Sequence, residues 1–296
     1  MRAAAILGLG CSPKNLTPFQ TDNSIDWQPG LPSGPDDADV ILLFGGDGTI
    51  HRHLGQLVKL KLPVLVVPAG SGNDFANSLR LARVRNSLAA WNAFIANRAN
   101  VREIDLGVIT PLAEKNGHDA IGDKRYFCCV AGVGIDGEVA RRANQLPRWL
   151  RGNGGYVLSM IPTIFSFAPF AMKVSTSEAR DQWTVRSDEP ALVAAFANTP
   201  LYGGGMKVAP RAKMDDGQLD ICIVGDVNPF RLFYLFPTVF SGRHLKVKEV
   251  SYFNASYVRA ETEYPLDVYA DGEYVCKTPI EVSIAPAALK VITPGV

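Results

Sequence analysis

The sequence predicts an α/β domain followed by a domain built as an antiparallel β-sandwich. Between residues 2 and 102, short apolar runs alternate with segments of helical periodicity, which is typical of parallel strands covered by helices. After Asp105 the pattern changes to many short strand-like runs separated by turn signals, which favours an antiparallel sandwich or barrel. We therefore expect two domains, residues 1–102 and 103–285, with the tail 286–296 packing back on the first.

Two strands of the first domain carry the clearest pattern. Residues 40–44 and 62–67 are almost unbroken aliphatic runs that end in glycine-rich turns, as expected for strands buried on both faces. A helix is expected over residues 75–80. Residues 11–39 contain five prolines and little periodicity, so no long helix is expected there.

The second domain is expected to contain strands separated by two helical segments. The strand-like runs are residues 126–130, 170–176, 191–196, 219–224 and 247–253, with a last run at 289–292. The two helical segments, 136–167 and 229–243, combine aromatic residues with arginines that include Arg148, Arg151, Arg231 and Arg243. Such a mixture indicates either packed core or a surface that contacts a membrane peripherally, with core the favoured interpretation for most of the aromatic residues.

Composition excludes several classes of protein. The chain has 296 residues, 47% of them hydrophobic and 20% charged, which is the balance of a folded globular protein. Its 30 basic and 29 acidic residues leave a net charge of +1, so we expect no nucleic acid partner. The five cysteines form no CxxC pair, which argues against a disulfide scaffold or a zinc site. No signal peptide or spanning segment is recognised, and a cytoplasmic location is expected.

The strongest local signal is Gly45-Gly46-Asp47-Gly48-Thr49, directly after the predicted strand 40–44. Glycines at this position allow a sharp turn and let backbone N–H groups approach an anion closely. A plain strand-to-helix turn would not require three glycines around one carboxylate and one hydroxyl. The pattern favours a phosphate site.

A second glycine loop, residues 68–74, follows the predicted strand 62–67. Asn73 or Asp74 is expected to cap the next helix, whose first N–H groups would also suit a phosphate. In an open α/β sheet, loops at the carboxyl ends of neighbouring strands meet, so the two loops are expected to converge. No GxxxxGK[ST] sequence occurs, which excludes a P-loop.

Five ordered motifs resemble the diacylglycerol kinase catalytic family, specifically its bacterial soluble lipid kinases. They are GGDGT at 45–49, PAGSGNDFA at 68–76, GVGID at 132–136, YGGG at 202–205 with PRAKMDDG at 210–217, and DGE at 271–273. NAD kinases share GGDGT, but the later motifs argue against that alternative. The resemblance implies a Rossmann-like nucleotide-binding domain with a C-terminal β-sandwich.

The resemblance also implies cofactors and site residues. ATP would be bound by the first loop (Gly45, Gly46, Asp47, Gly48, Thr49, Ile50, His51 and Arg52) and by the second (Gly70, Ser71, Gly72 and Asn73). A catalytic Mg²⁺ would be organised by Asp47, Asp74 and Asp105, and a structural Mg²⁺ by Asp216 with backbone carbonyls at Lys213 and Gln218. Glu273, with Asp271 beside it, would act as the general base. Without the resemblance, residues 271–273 are interpreted as a hairpin turn.

The resulting expectation is an ATP-dependent kinase that transfers the γ-phosphoryl group to a hydroxyl of a diacylglycerol-like or other amphiphilic lipid. The alternatives are an NAD kinase-like enzyme and a non-catalytic module that binds nucleotide or lipid. A peripheral, transient membrane contact is expected with the lipid substrate, and a homodimer is left open.

Overall fold

The computed structural model describes residues 1–112, 123–145 and 155–295. It divides into two compact units, which we call unit 1 (residues 1–105 and 286–296) and unit 2 (residues 106–285). The sequence placed the first boundary at residue 102, inside what the structure shows to be one strand, β5 (Val101–Pro111). Of the predicted interfacial residues, Arg148 and Arg151 lie outside the described part of the chain.

Unit 1 is an α/β unit around a parallel sheet. The strands follow the order β15, β4, β3, β1, β2, and each neighbouring pair is parallel. Its elements are β1 (Arg2–Leu7), α1 (Pro13–Leu16), β2 (Asp26–Pro29), β3 (Val40–Gly45), α2 (Asp47–Leu60), β4 (Val64–Pro68), α3 (Asp74–Ser78), α4 (Val84–Asn97) and the end of β15 (Ile280–Ile292). The predicted strands 40–44 and 62–67 thus correspond to two adjacent central strands, and all residues of β3 and β4 are buried.

The proline-rich segment 11–39 contains a strand that the sequence did not predict. β2 pairs in parallel with β1 at the edge of the sheet, with Arg2 opposite Asp26 and Ala5 opposite Pro29. Proline lacks the N–H that a central strand needs, and an edge strand tolerates its absence. No long helix occurs in this segment, as expected, because α1 spans four residues.

Unit 2 is built from antiparallel strands. Its elements are β6 (Arg125–Phe127), β7 (Val130–Gly134), α5 (Ile135–Gln145), α6 (Gly155–Ser166), β8 (Phe170–Ser177), β9 (Thr184–Ala197), β10 (Leu219–Gly225), α7 (Pro229–Leu235), β11 (Val250–Ala255), β12 (Tyr257–Thr262), β13 (Asp267–Ala270) and β14 (Glu273–Lys277), with 3-10 helices at Phe236–Ser241 and Arg243–Lys246. The strand order is β14, β13, β7, β9, β8, β12, with the start of β15 beside β12, and β10 joins β9 to β11. The expected α/β and antiparallel architecture is confirmed.

Strand β9 organises unit 2 because it pairs with three other strands. Residues 184–191 pair with β8, while residues 193–197 lie between β7 and β10. The sequence predicted only residues 191–196 as a strand. The preceding half of β9 is mostly exposed and polar, so it lacks the apolar signal on which the prediction depended.

The predicted strand 126–130 is in fact two short strands, β6 and β7, separated by Cys128 and Cys129. The backbone N–H groups of both cysteines donate to the side chain of Asp271, at 2.9 and 2.8 Å, and therefore not to a strand partner. Likewise the predicted strand 247–253 starts at Val250, after the 3-10 helix Arg243–Lys246.

Within the described residues, none of the helices has the length and apolar character needed to cross a membrane.

Two tryptophans of unit 1 test how much the hydrogen bond of a buried indole N–H contributes to stability. The indole N–H of Trp91, a fully buried residue, donates to the carbonyl of Phe19 at 3.0 Å, whereas the buried indole N–H of Trp27 has no acceptor among the described residues. Trp91→Phe leaves that carbonyl without a donor and should lower the free energy of unfolding by about 1–3 kcal/mol. Trp27→Phe, the matched control, should cost less. Urea unfolding followed by fluorescence measures both, and equal losses would contradict the assignment.

Candidate functional site

The two glycine loops of unit 1 touch each other through their backbones. A Cβ atom on Gly46 would lie 2.7 Å from the Cα of Gly70, and a Cβ on Gly70 would lie 2.4 Å from the Cα of Gly46. Both distances are shorter than any side chain permits. The N–H of Ala69 also donates to the carbonyl of Gly45 at 3.0 Å. The expected convergence of the loops is therefore present, and glycine is required at 46 and 70 for this approach.

Asp47 joins the loops through hydrogen bonds. Its two carboxylate oxygens accept the backbone N–H groups of Asp74 and Phe75, each at 3.1 Å. These groups begin helix α3, so the carboxylate that caps α3 comes from the first loop. The sequence predicted a cap from Asn73 or Asp74. Instead Asn73 has a left-handed backbone (φ 55°) and its side chain closes the loop on the N–H and carbonyl of Gly70, at 2.8 and 2.7 Å.

This cap changes where an anion could bind. The N–H groups of Asp74 and Phe75 were expected to suit a phosphate, but Asp47 already occupies them. Helix α2 begins at Asp47 in the GGDGT loop and has 14 residues. Its N-terminal N–H groups and dipole are the remaining anion-binding feature of these loops.

The carboxylates of Asp47 and Asp74 face a small space beside Gly72. A Cβ on Gly72 would lie 3.2 Å from Oδ2 of Asp47 and 3.6 Å from Oδ2 of Asp74. Glycine keeps this space open, and two carboxylates turned toward one space repel unless a cation offsets their charge. Oxygen ligands of this kind suit a hard divalent cation. The residues present therefore fit the Mg²⁺ that the family resemblance implied.

The other predicted residues of the loops have different surroundings. Thr49 and Ile50 are buried, and their N–H groups donate to the carbonyl of Gly46. Arg52 is exposed, and its Nε donates to the carbonyl of Gly48 at 2.9 Å. Ser71 is exposed at the tip of the second loop, and His51 is half-buried on α2. Ser71 and Arg52 are thus the accessible polar side chains of this set.

Asp105 is buried and holds the carboxyl-terminal tail of unit 1. Its Oδ1 accepts the backbone N–H of Ala287 at 2.8 Å, at a residue with a positive φ of 50°. In the same unit, the side-chain amide of Asn100 donates to the carbonyl of Thr293 at 2.7 Å. The tail is therefore attached to unit 1 at two places.

In unit 2, Asp271 and Gly272 form the two-residue turn between β13 and β14. Their φ angles are 52° and 85°, as in the type I′ turns that join tight hairpins. The hairpin interpretation of DGE is therefore correct, yet Asp271 also has a tertiary role. Its carboxylate is buried and accepts the N–H groups of Cys128 and Cys129, so it fixes the chain between β6 and β7.

Glu273, the first residue of β14, has a different environment from Asp271. Its side chain is partly exposed, and it makes no hydrogen bond or ion pair with the described residues. Of the two acids in the DGE motif, one therefore supports the backbone and the other is available to a ligand.

The loop at residues 213–218 is a polar turn. Oδ1 of Asp216 accepts the N–H of Gln218 at 3.2 Å, and Gly217 has a φ of 71°. Sequence reasoning missed the nearby Asp220, a buried acid that accepts a hydrogen bond from the Tyr252 hydroxyl at 2.7 Å. Burial raises the pKa of the Asp220 carboxyl. Its position in the buried strand β10 gave no signal of a polar role.

Unit 2 also contains an apolar cavity with about 900 Å³ of empty space, its open mouth included. Its walls come mainly from α6, α7, the end of β9, β10 and the 3-10 helices. Among the described residues that line it, only Tyr202 and His244 have a side chain with nitrogen or oxygen. Burial lowers the pKa of the His244 imidazole, which favours its neutral form.

Comparison with protein families matches both halves of the chain. Residues 31–109 match the diacylglycerol kinase catalytic domain, and residues 129–293 match the YegS C-terminal NAD kinase beta sandwich-like domain. A diacylglycerol kinase of Mycobacterium tuberculosis is 34% identical over 86% of this chain and 77% of its own length. The chain belongs to the family of bacterial diacylglycerol kinases and YegS-like lipid kinases. The family assignment made from the five motifs is confirmed.

Solved structures agree on the fold of this lipid kinase family member. A crystal structure of a diacylglycerol kinase from Bacillus anthracis has a TM-score of 0.66 and 18% identity, covering 99% of this chain and 96% of that one. An NAD kinase from Archaeoglobus fulgidus, solved in complex with ATP, has a TM-score of 0.52 and 14% identity, covering 100% and 94%. At 18% and 14% identity, both comparisons support the fold alone.

Asp271→Asn tests the structural role of the first acid in the DGE motif. The amide can accept only one of the two N–H groups, from Cys128 or Cys129, and its NH₂ faces the other. We expect the free energy of unfolding to fall by about 1–3 kcal/mol. Glu273→Gln, two residues away, should leave stability nearly unchanged. Urea unfolding of the two variants measures the difference, and an unaffected Asp271→Asn protein would disprove the role.

Proposed function

We propose that this protein is an ATP-dependent kinase that phosphorylates a hydroxyl of a diacylglycerol-like or other amphiphilic lipid. The observation that carries the proposal is the pair of carboxylates, Asp47 and Asp74, held beside Gly72 by the two touching glycine loops. Membership of the diacylglycerol and lipid kinase family supports it.

Unit 1 is assigned to the nucleotide. The glycine backbone of the GGDGT loop and the N-terminus of α2 suit the phosphates, because the glycines place no Cβ over the N–H groups and the helix dipole favours an anion. The accessible hydroxyl of Ser71 and the guanidinium of Arg52 are available for further contacts. Glycine contacts at 46 and 70 keep both loops in one arrangement before ligand arrives, which lowers the entropy cost of binding.

Asp47 and Asp74 would hold the magnesium ion. When bound, Mg²⁺ neutralises charge that spreads over the phosphate oxygens during phosphoryl transfer. Asp47 must serve two purposes here, because the same carboxylate that would face the cation also caps α3. The roles of Asp105 toward this ion, and of Lys213, Asp216 and Gln218 toward a structural ion, stay predictions from the resemblance.

Glu273 is assigned as the general base. A carboxylate that accepts a hydroxyl proton needs access to the acceptor and freedom from strong internal hydrogen bonds. The partly exposed side chain of Glu273 meets this requirement, whereas Asp271 is committed to two backbone N–H groups. We therefore assign Asp271 to positioning the hairpin that carries the base.

The apolar cavity of unit 2 favours a lipid acceptor over NAD. NAD is a charged, polar dinucleotide, and desolvating its phosphates and amide in a wall with two polar side chains would be costly. Acyl or alkyl chains gain free energy from the same wall through the hydrophobic effect. The NAD kinase-like alternative is supported by the fold and by the shared GGDGT motif, and neither of these identifies the acceptor.

The experiment that tests the function is transfer of labelled phosphate from ATP to a panel of acceptors. The panel comprises diacylglycerol, ceramide, a sphingoid base, phosphatidylglycerol and NAD, each with Mg²⁺. We expect label on at least one lipid and none on NAD. Transfer to NAD would favour the NAD kinase-like alternative, and nucleotide binding without any transfer would favour a non-catalytic module.

Gly72→Ala tests the proposed metal site. Gly72 does not have a left-handed backbone, so alanine adds only a methyl group, which would contact both carboxylates. We expect Mg²⁺ affinity and turnover to fall by about tenfold or more, as for other changes next to metal ligands. The control is Gly55→Ala, at an exposed position of α2 with nothing within 4 Å of the new Cβ, which should add about 0.5–1 kcal/mol of stability. Calorimetric Mg²⁺ titration and initial rates measure both, and an unchanged Mg²⁺ affinity in Gly72→Ala would refute the site.

Glu273→Gln tests the proposed base. The amide keeps the size of the side chain but accepts a proton poorly, so turnover should fall by about 10²- to 10⁴-fold. Nucleotide affinity should change little, because a base acting on the acceptor need not touch the nucleotide in the ground state. Steady-state rates and ATP titration separate the two effects. Equal losses in ATP affinity and rate would reassign Glu273 to nucleotide binding.

A further inference from the structure

Helices α6 and α7 of unit 2 carry a cluster of exposed aromatic side chains. We call Phe165, Phe230, Phe233 and Tyr234 the aromatic surface; their exposed fractions are 47%, 75%, 46% and 81%. The ring of Phe165 lies 5.5 Å from that of Phe230 and 5.8 Å from that of Phe233, centroid to centroid, so residues of the two helices form one cluster. Single exposed apolar side chains are common, but a contiguous group usually marks a contact surface.

The same two helices also form a wall of the apolar cavity. Ile164 of α6 and Leu232 and Leu235 of α7 line it. On α7, Phe230, Phe233 and Tyr234 are spaced by three and four residues and share one face. The aromatic surface and one wall of the cavity are therefore built on the same two short helices.

The segment from Pro229 to Lys248 is basic, although the whole protein is nearly neutral. It contains Arg231, Arg243, Lys246 and Lys248 and no aspartate or glutamate. Arg243, Lys246 and Lys248 are exposed. Arg231 pairs with Glu249 at 3.1 Å, and Lys248 lies 4.0 Å from the same carboxylate. Anionic lipid headgroups attract such exposed cations.

Charge distinguishes between two candidates for the partner. In a symmetric dimer formed through this surface, each copy would present the same patch, so the basic segments of both copies would face each other and repel. An anionic bilayer instead offers apolar chains to the aromatic rings and negative headgroups to the lysines and arginines. The composition of the surface favours the bilayer.

We propose that the aromatic surface and the basic segment 229–248 dock this protein on anionic membranes. The proposal rests on the proposed function in one respect, since docking matters for catalysis only if the acceptor is a lipid. Two of the arginines that the sequence suggested for this role, Arg148 and Arg151, lie outside the described residues. The surface is therefore defined by α6, α7 and the segment that follows.

The test is sedimentation of the full-length protein with vesicles of phosphatidylcholine alone or mixed with phosphatidylglycerol. Wild type should bind the mixed vesicles and lose binding as salt is raised. The double variant Phe230→Ser/Tyr234→Ser should bind at least about tenfold more weakly, because it loses apolar area that enters the bilayer. Lys246→Gln/Lys248→Gln should weaken binding to the mixed vesicles by about tenfold or more and change binding to neutral vesicles little.

Matched controls come from exposed residues elsewhere. Leu9→Ser removes an apolar side chain that is 72% exposed in unit 1, and Lys59→Gln/Lys173→Gln removes two exposed charges outside the segment. Both controls should bind vesicles like wild type. The urea midpoint of every variant should match wild type, since all these side chains are exposed.

The outcomes separate docking from catalysis. Phosphorylation of dioctanoylglycerol, a short-chain acceptor presented without vesicles, should be similar in wild type and in the Phe230/Tyr234 variant.

If wild type binds the mixed vesicles as described but phosphorylates no lipid, the proposed kinase function fails and docking stands. Failure of wild type to bind anionic vesicles would overturn docking, as would wild-type binding by the aromatic variant. A dimer in sedimentation equilibrium that the aromatic variant abolishes, with vesicle binding intact, would assign the surface to a second copy.

Discussion

The carboxylate of Asp47 is the constraint on which the site in unit 1 depends. By accepting the N–H groups of Asp74 and Phe75, it connects the loop after β3 to the helix after β4. Charged acceptors make stronger hydrogen bonds than neutral ones, and a carboxylate at a helix N-terminus also interacts favourably with the helix dipole. The glycine contact between residues 46 and 70 permits this geometry, since any Cβ would separate the loops. Asp74 then turns its own carboxylate toward the space beside Gly72.

Five acidic residues predicted for the site divide into two groups by what their oxygens contact: Asp47, Asp74, Asp105, Asp271 and Glu273. Asp105 and Asp271 are buried and accept backbone N–H groups from distant parts of their own units. A buried carboxylate without such donors would be costly, so these contacts explain how the acids are tolerated in the interior. Asp74 is also buried, but its carboxylate faces the space beside Gly72, and Glu273 is partly exposed. Asp47 belongs to both groups, and a substitution there would disturb geometry and chemistry together.

Unit 2 has an interior suited to hydrocarbon. Its antiparallel strands supply a large buried core, and the helices α6 and α7 line a separate cavity. Burial lowers the pKa of His244 and so favours its neutral form, which brings no charge into the cavity wall. Such a wall favours ligands according to their apolar area and shape.

The sequence by itself determined the fold class, the family and the position of both glycine loops. Buried parallel strands are continuous apolar runs, and glycine loops depend on residues adjacent in the chain, so both leave local patterns. Several elements left weaker patterns: β2 contains a proline at a sheet edge, and the first half of β9 is exposed and polar. Only the tertiary structure decided that Asp47 caps α3, that Asp271 holds Cys128 and Cys129, and that Asp105 holds the tail. Each of these contacts joins residues 27 to 182 positions apart, and no local spacing encodes a hydrogen bond across such a distance.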